Sequence, residues 1–259
     1  MPAGTMPRVY RTEAVVIRRV NTGETDRVLT LFTRDLGKIS AIAKGARGPR
    51  SRLSAVTEPF TYFRGLMAKG QTLDVLTQAE VQSSFPGIRK DLTRIGYASY
   101  FVELVDAGTE ERQESPELWD VLLASLAALE TAATPDVLAR AFELHAMRLL
   151  GYEPSLFRCA LCQGEVGVPG TGFHPTRGGI VCPRCARTPG TVALSPPAVT
   201  ALSELTAVPL AAAASSGLPE RTRGELARSL VPFVRHHVEK GLRSLEFLDD
   251  LAMPTLPEE

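Results

Sequence analysis

Apolar and polar residues along this chain first alternate and then change period. Across 11–81, β-branched and aromatic residues recur with period two in the segments 12–16, 28–32, 39–43, 60–66 and 73–81. That spacing turns one face of an extended segment toward a core, so it predicts five short strands. Turn formers separate them at Asn21-Thr22-Gly23, Asp35-Leu36-Gly37, 45–49 and Lys69-Gly70. After Phe85-Pro86-Gly87 the apolar residues take up helical spacing. Ile88, Leu92, Ile95, Val102 and Val105 mark one helix face, and Leu118, Val121, Leu122, Leu126 and Leu129 mark a second. Ser115-Pro116-Glu117 and Thr134-Pro135-Asp136 are helix starts, and a third helix runs from the latter through Leu138, Phe142 and Leu149 to a stop at Gly151. Ser195-Pro196-Pro197 opens another helix, and 220–248 returns to helical period through Leu226, Leu230, Phe233, Val234 and Val238.

Five strands within so short a span predict a small closed barrel, and the OB-fold is the five-stranded barrel that habitually binds nucleic acid. An SH3-like barrel would give the same pattern. The helical segments are expected to pack as a bundle. Between the third and fourth helices, 157–190 is rich in Gly and Pro and too short to carry a hydrophobic core of its own.

The composition is that of a folded chain: 259 residues, 44% hydrophobic and 22% charged. No apolar run approaches the roughly 18 to 20 residues of a membrane span, since 121–129 is interrupted by Ser125. MPAGTMPRVYR has no apolar core of a secretory signal, so a cytosolic address is expected. Charge alters the picture more. The net charge is zero, yet 1–80 holds 13 Lys and Arg against 7 Asp and Glu, and the remainder holds 16 against 22. A basic barrel followed by an acidic body suits a polyanionic partner at the N-terminal end.

The four cysteines occur as CALC at 159–162 and CPRC at 182–185, with 19 residues between the inner pair. Cys159, Cys162, Cys182 and Cys185 thus have the spacing of a two-knuckle zinc site, in which four thiolates surround one ion. Four ligands leave no open position, so the ion is expected to be structural and to fold 157–190. A redox CxxC is usually single and begins a helix, and structural disulfides are disfavoured in a reducing compartment. The sequence therefore reads as an α+β multidomain chain. It comprises a five-stranded barrel, OB-fold or SH3-like, at 1–83, a helical bundle at 84–156 and 191–250, an inserted four-cysteine zinc ribbon at 157–190 and a flexible tail at 251–259.

Between Asp35 and Glu58 lie Lys38, Lys44, Arg47, Arg50 and Arg52 with no acidic residue, most of them in the loop KGARGPRSR. Gly and Pro keep that loop irregular and leave its cations free for phosphates. Arg18, Arg19 and Arg27 extend the candidate DNA-binding set, with Arg64 and Lys69 further across the barrel. Phe32, Phe60, Tyr62 and Phe63 are better read as core than as stacking platforms, because alternation turns half of each strand inward. A catalytic constellation is missing from the sequence: it has no GxxxxGK[ST], HExxH or GxSxG. His145 reads as a structural histidine. His237-Val238-Glu239 follows the cysteines rather than preceding them, which departs from the zinc deaminase order.

The run TEAVVIRRVNTGETDRVLTLFTRDLGKISAIAKGAR, the segment AFELHAMRLLGYEP, and CALCQ with CPRC after it together resemble the bacterial RecO family of DNA repair proteins over nearly the whole chain. The resemblance implies an OB-fold followed by a helical bundle bearing the zinc ribbon. It further implies binding of single- and double-stranded DNA, annealing of complementary strands, and action with RecR and single-strand-binding protein to load the recombinase RecA. No enzymatic step and no membrane contact are implied, and the location would be cytoplasmic, with the nucleoid. Some family members lack the cysteines, which makes the ribbon dispensable for the shared activity, and the family pattern favours Met6 as the start. From a different class, a protein-interaction adaptor would dock proteins on the barrel and ribbon with incidental DNA contact, while apolar grooves of the helical body take a short tail and Arg140 and Arg148 meet an acidic one.

Overall fold

A computed structural model of the chain describes residues 8–166, 170–238 and 241–252. They fall into two compact units, one reaching to Pro86 and including Thr109–Asp120, the other made of Gly87–Gly108 and the chain from Val121 onward.

Five strands build the first unit: β1 (Val9–Thr22), β2 (Asp26–Thr33), β3 (Gly37–Ala43), β4 (Tyr62–Ala68) and β5 (Asp74–Ser83). They close in the order β1-β2-β3-β5-β4, with β4 returning to β1. Only β3 and β5 run parallel. This order is that of the OB-fold and removes the SH3-like alternative. β1 is far longer than the predicted 12–16 because one strand serves two partners: its first half pairs β4, its second half pairs β2, and a register shift between Val16 and Arg18 bends it. Ala14, Val16, Leu29, Leu31, Ile39, Ala41, Phe63 and Met67 fill the interior. Phe32, Phe60 and Phe63 are buried, and Tyr62 sets its ring edge against Trp119 at 5.8 Å.

β3 and β5 pair only at Ala41 with Asp74 and Ile42 with Val75. The uncovered start of β3 is paired from elsewhere, by Glu111 beside Lys38. Arg112 N–H donates to the Lys38 carbonyl at 2.7 Å, and its guanidinium meets the Asp74 carboxylate at 2.8 Å. Thr109–Asp120 therefore belongs with the barrel, which corrects a simple division after residue 83. Gly37 sits at φ +63°, and a Cβ there would fall 1.8 Å from the Gln113 carbonyl oxygen, so the close approach requires glycine.

The second unit is helical: α1 (Leu92–Gly108), α2 (Pro116–Leu129, from Val121 onward), α3 (Pro135–Leu149), α4 (Pro196–Leu205), α5 (Leu210–Ala213), α6 (Glu220–His237) and α7 (Arg243–Ala252). α3 is its centre, buried along most of its length and packed on α1 through Phe142 and Phe101, whose rings lie 4.4 Å apart. The helical stretch 220–248 is interrupted, because Val238 is extended and α7 begins afresh with its first amides held by Glu103: Arg243 N–H at 3.1 Å and Ser244 N–H at 2.9 Å. Residues 251 and 252 of the supposed tail end α7; 253–259 lie outside the described residues, as does the choice between Met1 and Met6. No helix among the described residues is long and apolar enough to cross a membrane.

Between α3 and α4 the chain forms a three-stranded sheet in the order β7-β6-β8, from β6 (Gly172–His174), β7 (Gly179–Val181) and β8 (Val192–Ala193). It borrows a core from the bundle: Phe173 is fully buried and meets Phe233 of α6 edge-on at 5.9 Å.

Candidate metal centre and nucleic-acid interface

Each CxxC folds as a tight turn. The Gln163 amide donates to the Cys159 carbonyl, and the Cys185 and Ala186 amides donate to the Cys182 carbonyl, all at 2.9 Å. The turns face one another, and the four sulfurs lie within 4.8 Å of one another. Cys162 and Cys182 stand 3.8 Å apart, about the edge of a tetrahedron with metal–sulfur bonds of about 2.3 Å and nearly twice the length of a disulfide. All four cysteines are free thiols.

The electrostatics ask for a cation. Burial raises the Cys159 thiol, but backbone amides of Cys182, Cys162 and Leu161 outweigh it and bring it down to about 6. Desolvation and then the three neighbouring sulfurs push Cys185 up to about 12. Four thiolates cannot ionise together without a positive charge among them, and a dication supplies it. The four cysteines could therefore hold one metal ion, and the donor set suits a thiophilic one.

The predicted DNA-binding residues separate into two groups. Lys44, Arg47, Arg50 and Arg52 are exposed on the connection from β3 to β4. Their loop is braced on the β1–β2 turn: Gly45 N–H donates to the Asp26 carboxylate and Arg47 N–H to the Thr25 carbonyl, each at 2.8 Å. The Arg47 side chain reaches the Gly23 carbonyl at 3.4 Å, while Lys44, Arg50 and Arg52 have no partner among the described residues. Arg18 is exposed on β1 nearby.

Lys38 and Arg27 are employed elsewhere. Lys38 is only 8% exposed, and its ammonium donates to the Thr109 carbonyl at 2.6 Å. The Arg27 side chain is 11% exposed and donates to the Thr57 hydroxyl at 2.6 Å and the Glu58 carboxylate at 3.1 Å. Arg19 shares Glu58 at 2.5 Å and stays half-exposed. The run of cations between Asp35 and Glu58 carries no sign that residue 38 is buried; Thr109–Arg112, which covers the start of β3, takes it from the surface. Sequence reasoning missed Glu58, because its two arginine partners lie more than 30 residues away. Arg64 is exposed but paired with Glu13 at 2.7 Å, and Lys69 is exposed beside the β4–β5 turn. In the helical unit Arg140 is unavailable to any partner, being buried on α3 against Glu143 at 2.9 Å, with the Tyr100 hydroxyl donating to the same carboxylate.

Residues 6–85 match the family model described as Recombination protein O N terminal, and residues 89–246 match Recombination protein O C terminal. The chain is similar to the DNA repair protein RecO of Roseiflexus sp., at 40% identity covering 94% of this chain and 86% of the relative. It is 37% identical to that of Symbiobacterium thermophilum over 94% of this chain and 98% of the relative, and 35% identical to that of Bacillus subtilis over 93% and 94%. With an OB-type barrel, a helical unit carrying four clustered cysteines, and these matches along nearly its whole length, the chain belongs to the RecO family of DNA repair and recombination proteins.

Proposed function

We propose that this chain binds single- and double-stranded DNA through the β3–β4 loop of its barrel and promotes annealing of complementary strands. With RecR it would load the recombinase RecA onto DNA covered by single-strand-binding protein. The observation that carries this reading is the loop itself: Lys44, Arg47, Arg50 and Arg52 project from a backbone braced by Asp26 and Thr25 and meet no carboxylate among the described residues. Cations so placed contact phosphates without reading sequence. Neutralising the phosphates of one strand lowers the repulsion met by its complement, so annealing follows with no bond made or broken and no catalytic residue. The action is non-enzymatic and cytoplasmic, at the nucleoid.

Cys159, Cys162, Cys182 and Cys185 would hold one structural Zn²⁺. Its contribution is to fix the two turns of the ribbon. A thiol oxidoreductase would instead give metal-free cysteines that titrate freely. The adaptor reading loses Arg140, which is buried against Glu143.

Gel-shift and strand-annealing assays with single-stranded oligonucleotides at near-physiological salt test the main reading. Arg47→Glu, Arg50→Glu and Arg52→Glu together are expected to weaken binding and slow annealing at matched salt. Unchanged affinity in that triple variant removes the loop assignment, and absence of binding by the unaltered chain leaves the adaptor.

A further inference from the structure

A hollow of about 430 Å³ opens in the helical unit between α3, the end of α4 and the start of the ribbon. Its size is in the range that encloses a small ligand. Arg148 and Arg158 line it and are exposed, and neither guanidinium has a hydrogen-bond or ion-pair partner among the described residues. The one acidic residue in its wall is Glu153. His145 also lines the hollow: its Nε2 is buried without a close hydrogen-bond partner, while the Leu205 and Val208 carbonyls act on the ring. Burial and the Arg148 charge outweigh the Leu205 and Val208 carbonyls and lower the His145 pKa, so the ring is neutral at pH 7 and has one donor and one acceptor nitrogen.

The rim carries Phe157, 79% exposed, the most exposed large apolar side chain among the described residues. Looseness of the segment does not explain that exposure. Ser155 is tied to β7 on both sides, N–H to the Gly178 carbonyl and carbonyl to the Ile180 N–H, each at 2.8 Å; the Ala160 N–H closes the far end on the Ile180 carbonyl at 2.8 Å. The Ser155 hydroxyl also donates to the Arg158 carbonyl at 2.9 Å. A phenyl ring is thus presented to solvent from a fixed backbone, in the wall of a hollow that also holds two guanidinium groups without partners and the His145 imidazole.

We infer that this hollow is a second DNA contact, taking one unstacked nucleotide of a single strand: base against Phe157, phosphate on Arg148 and Arg158, base edge toward His145 and Gln163. Aromatic faces combined with cations are the recognition chemistry of single-stranded nucleic acid, because every base has a face to stack and every nucleotide a phosphate. A duplex, whose bases are already stacked, has nothing to give the ring. The inference rests on the reading that the chain binds DNA and adds a contact outside the barrel, selective for unpaired strands.

The test uses the full-length, metal-loaded chain with oligo(dT) and a duplex of equal length, followed by fluorescence anisotropy. Phe157→Ala is expected to weaken oligo(dT) binding about tenfold, with duplex binding unchanged and Phe157→Trp restoring it. Arg148→Ala should weaken oligo(dT) as well, and an iodouracil-substituted strand should photocrosslink to the peptide containing residue 157. Metal content and circular dichroism confirm that the variants fold. Unchanged oligo(dT) affinity in Phe157→Ala, or an equal loss on duplex, overturns the inference. So does an acidic peptide that binds this hollow in a Phe157-dependent way while oligo(dT) binding does not depend on Phe157, which would make it a protein-docking site. Loss in Phe157→Ala with no loss in the Arg47, Arg50 and Arg52 triple variant would remove the barrel assignment and leave this one standing. Failure of the unaltered chain to bind either DNA would remove both.

Discussion

Replacing Lys44, Arg47, Arg50 and Arg52 together by alanine should flatten the salt dependence of single-strand binding, and burial tells how many cations to count. Each phosphate contact on a single strand contributes about 0.7 to the slope of log affinity against log salt, so four exposed cations account for a slope of about 2.8. Across a fourfold rise in salt the unaltered chain should therefore lose roughly 50-fold more affinity than the variant. Lys38 and Arg27 carry the same formal charge but donate to Thr109, Thr57 and Glu58 instead. Lys38→Met should leave the slope unchanged while costing about 1–3 kcal/mol of stability, because the Thr109 carbonyl loses its donor. Anisotropy with a labelled oligonucleotide over a salt series gives the slopes, and urea unfolding gives the stabilities. A fourfold alanine variant that keeps the original slope refutes the reasoning, as does a Lys38→Met chain that flattens it by a full contact.

Three further outcomes follow from the geometry. Cys182→Ser should abolish stoichiometric metal and expose the ribbon to protease; a variant that keeps one ion per chain and resists cleavage contradicts the four-thiolate site. Glu58→Gln should cost about 1 kcal/mol, since its partners Arg19 and Arg27 retain other contacts or solvent, and should not reduce DNA affinity; a loss of affinity would mean that the pairing presents the loop to DNA. Burial raises the Asp74 pKa, but hydrogen bonds from Tyr10, Arg112 and the Gly70 amide outweigh it and hold it below the ordinary carboxylate value. A folded pKa below the unfolded one gives stabilisation that is complete above about pH 5 and is lost as pH falls below about 4. Asp74→Asn should remove that part of the acid dependence, and a pH series of unfolding midpoints that is the same in both chains would count against it.

What the sequence made legible was whatever a short window decides. Period two marked the barrel strands because one face of each is buried, and CALC with CPRC marked the four-cysteine cluster because two four-residue turns supply all four sulfurs. The exposed loop was legible for the same reason, since Gly45, Gly48 and Pro49 act on their own neighbours. What a short window did not decide depends on distant partners. Lys38 is covered by a segment 71 residues away, and Arg27 is held by Thr57 and Glu58, 30 and 31 residues on. Arg140 was read as a surface cation although its i+3 neighbour is a carboxylate, because helical spacing says which residues share a face and not whether Tyr100 closes over it. Phe157 gave no signal, an apolar residue in a turn-rich segment being indistinguishable from core.

The strand-like contact of Glu111 and Arg112 with the start of β3 bears on how the chain can be made. A ribosome releases the N-terminal end first, so β1 to β5 emerge well before Thr109 to Gln113 do. Until then Lys38 lacks the Thr109 carbonyl, and Asp74 lacks the guanidinium of Arg112. A fragment cut after Pro86 reproduces that nascent state permanently: Asp74 keeps only Tyr10 and the Gly70 amide, and the Lys38 ammonium is without the Thr109 carbonyl. Gly37, whose missing side chain makes room for Gln113, is thus a residue near the beginning of the chain with a close neighbour that arrives only when synthesis has passed α1.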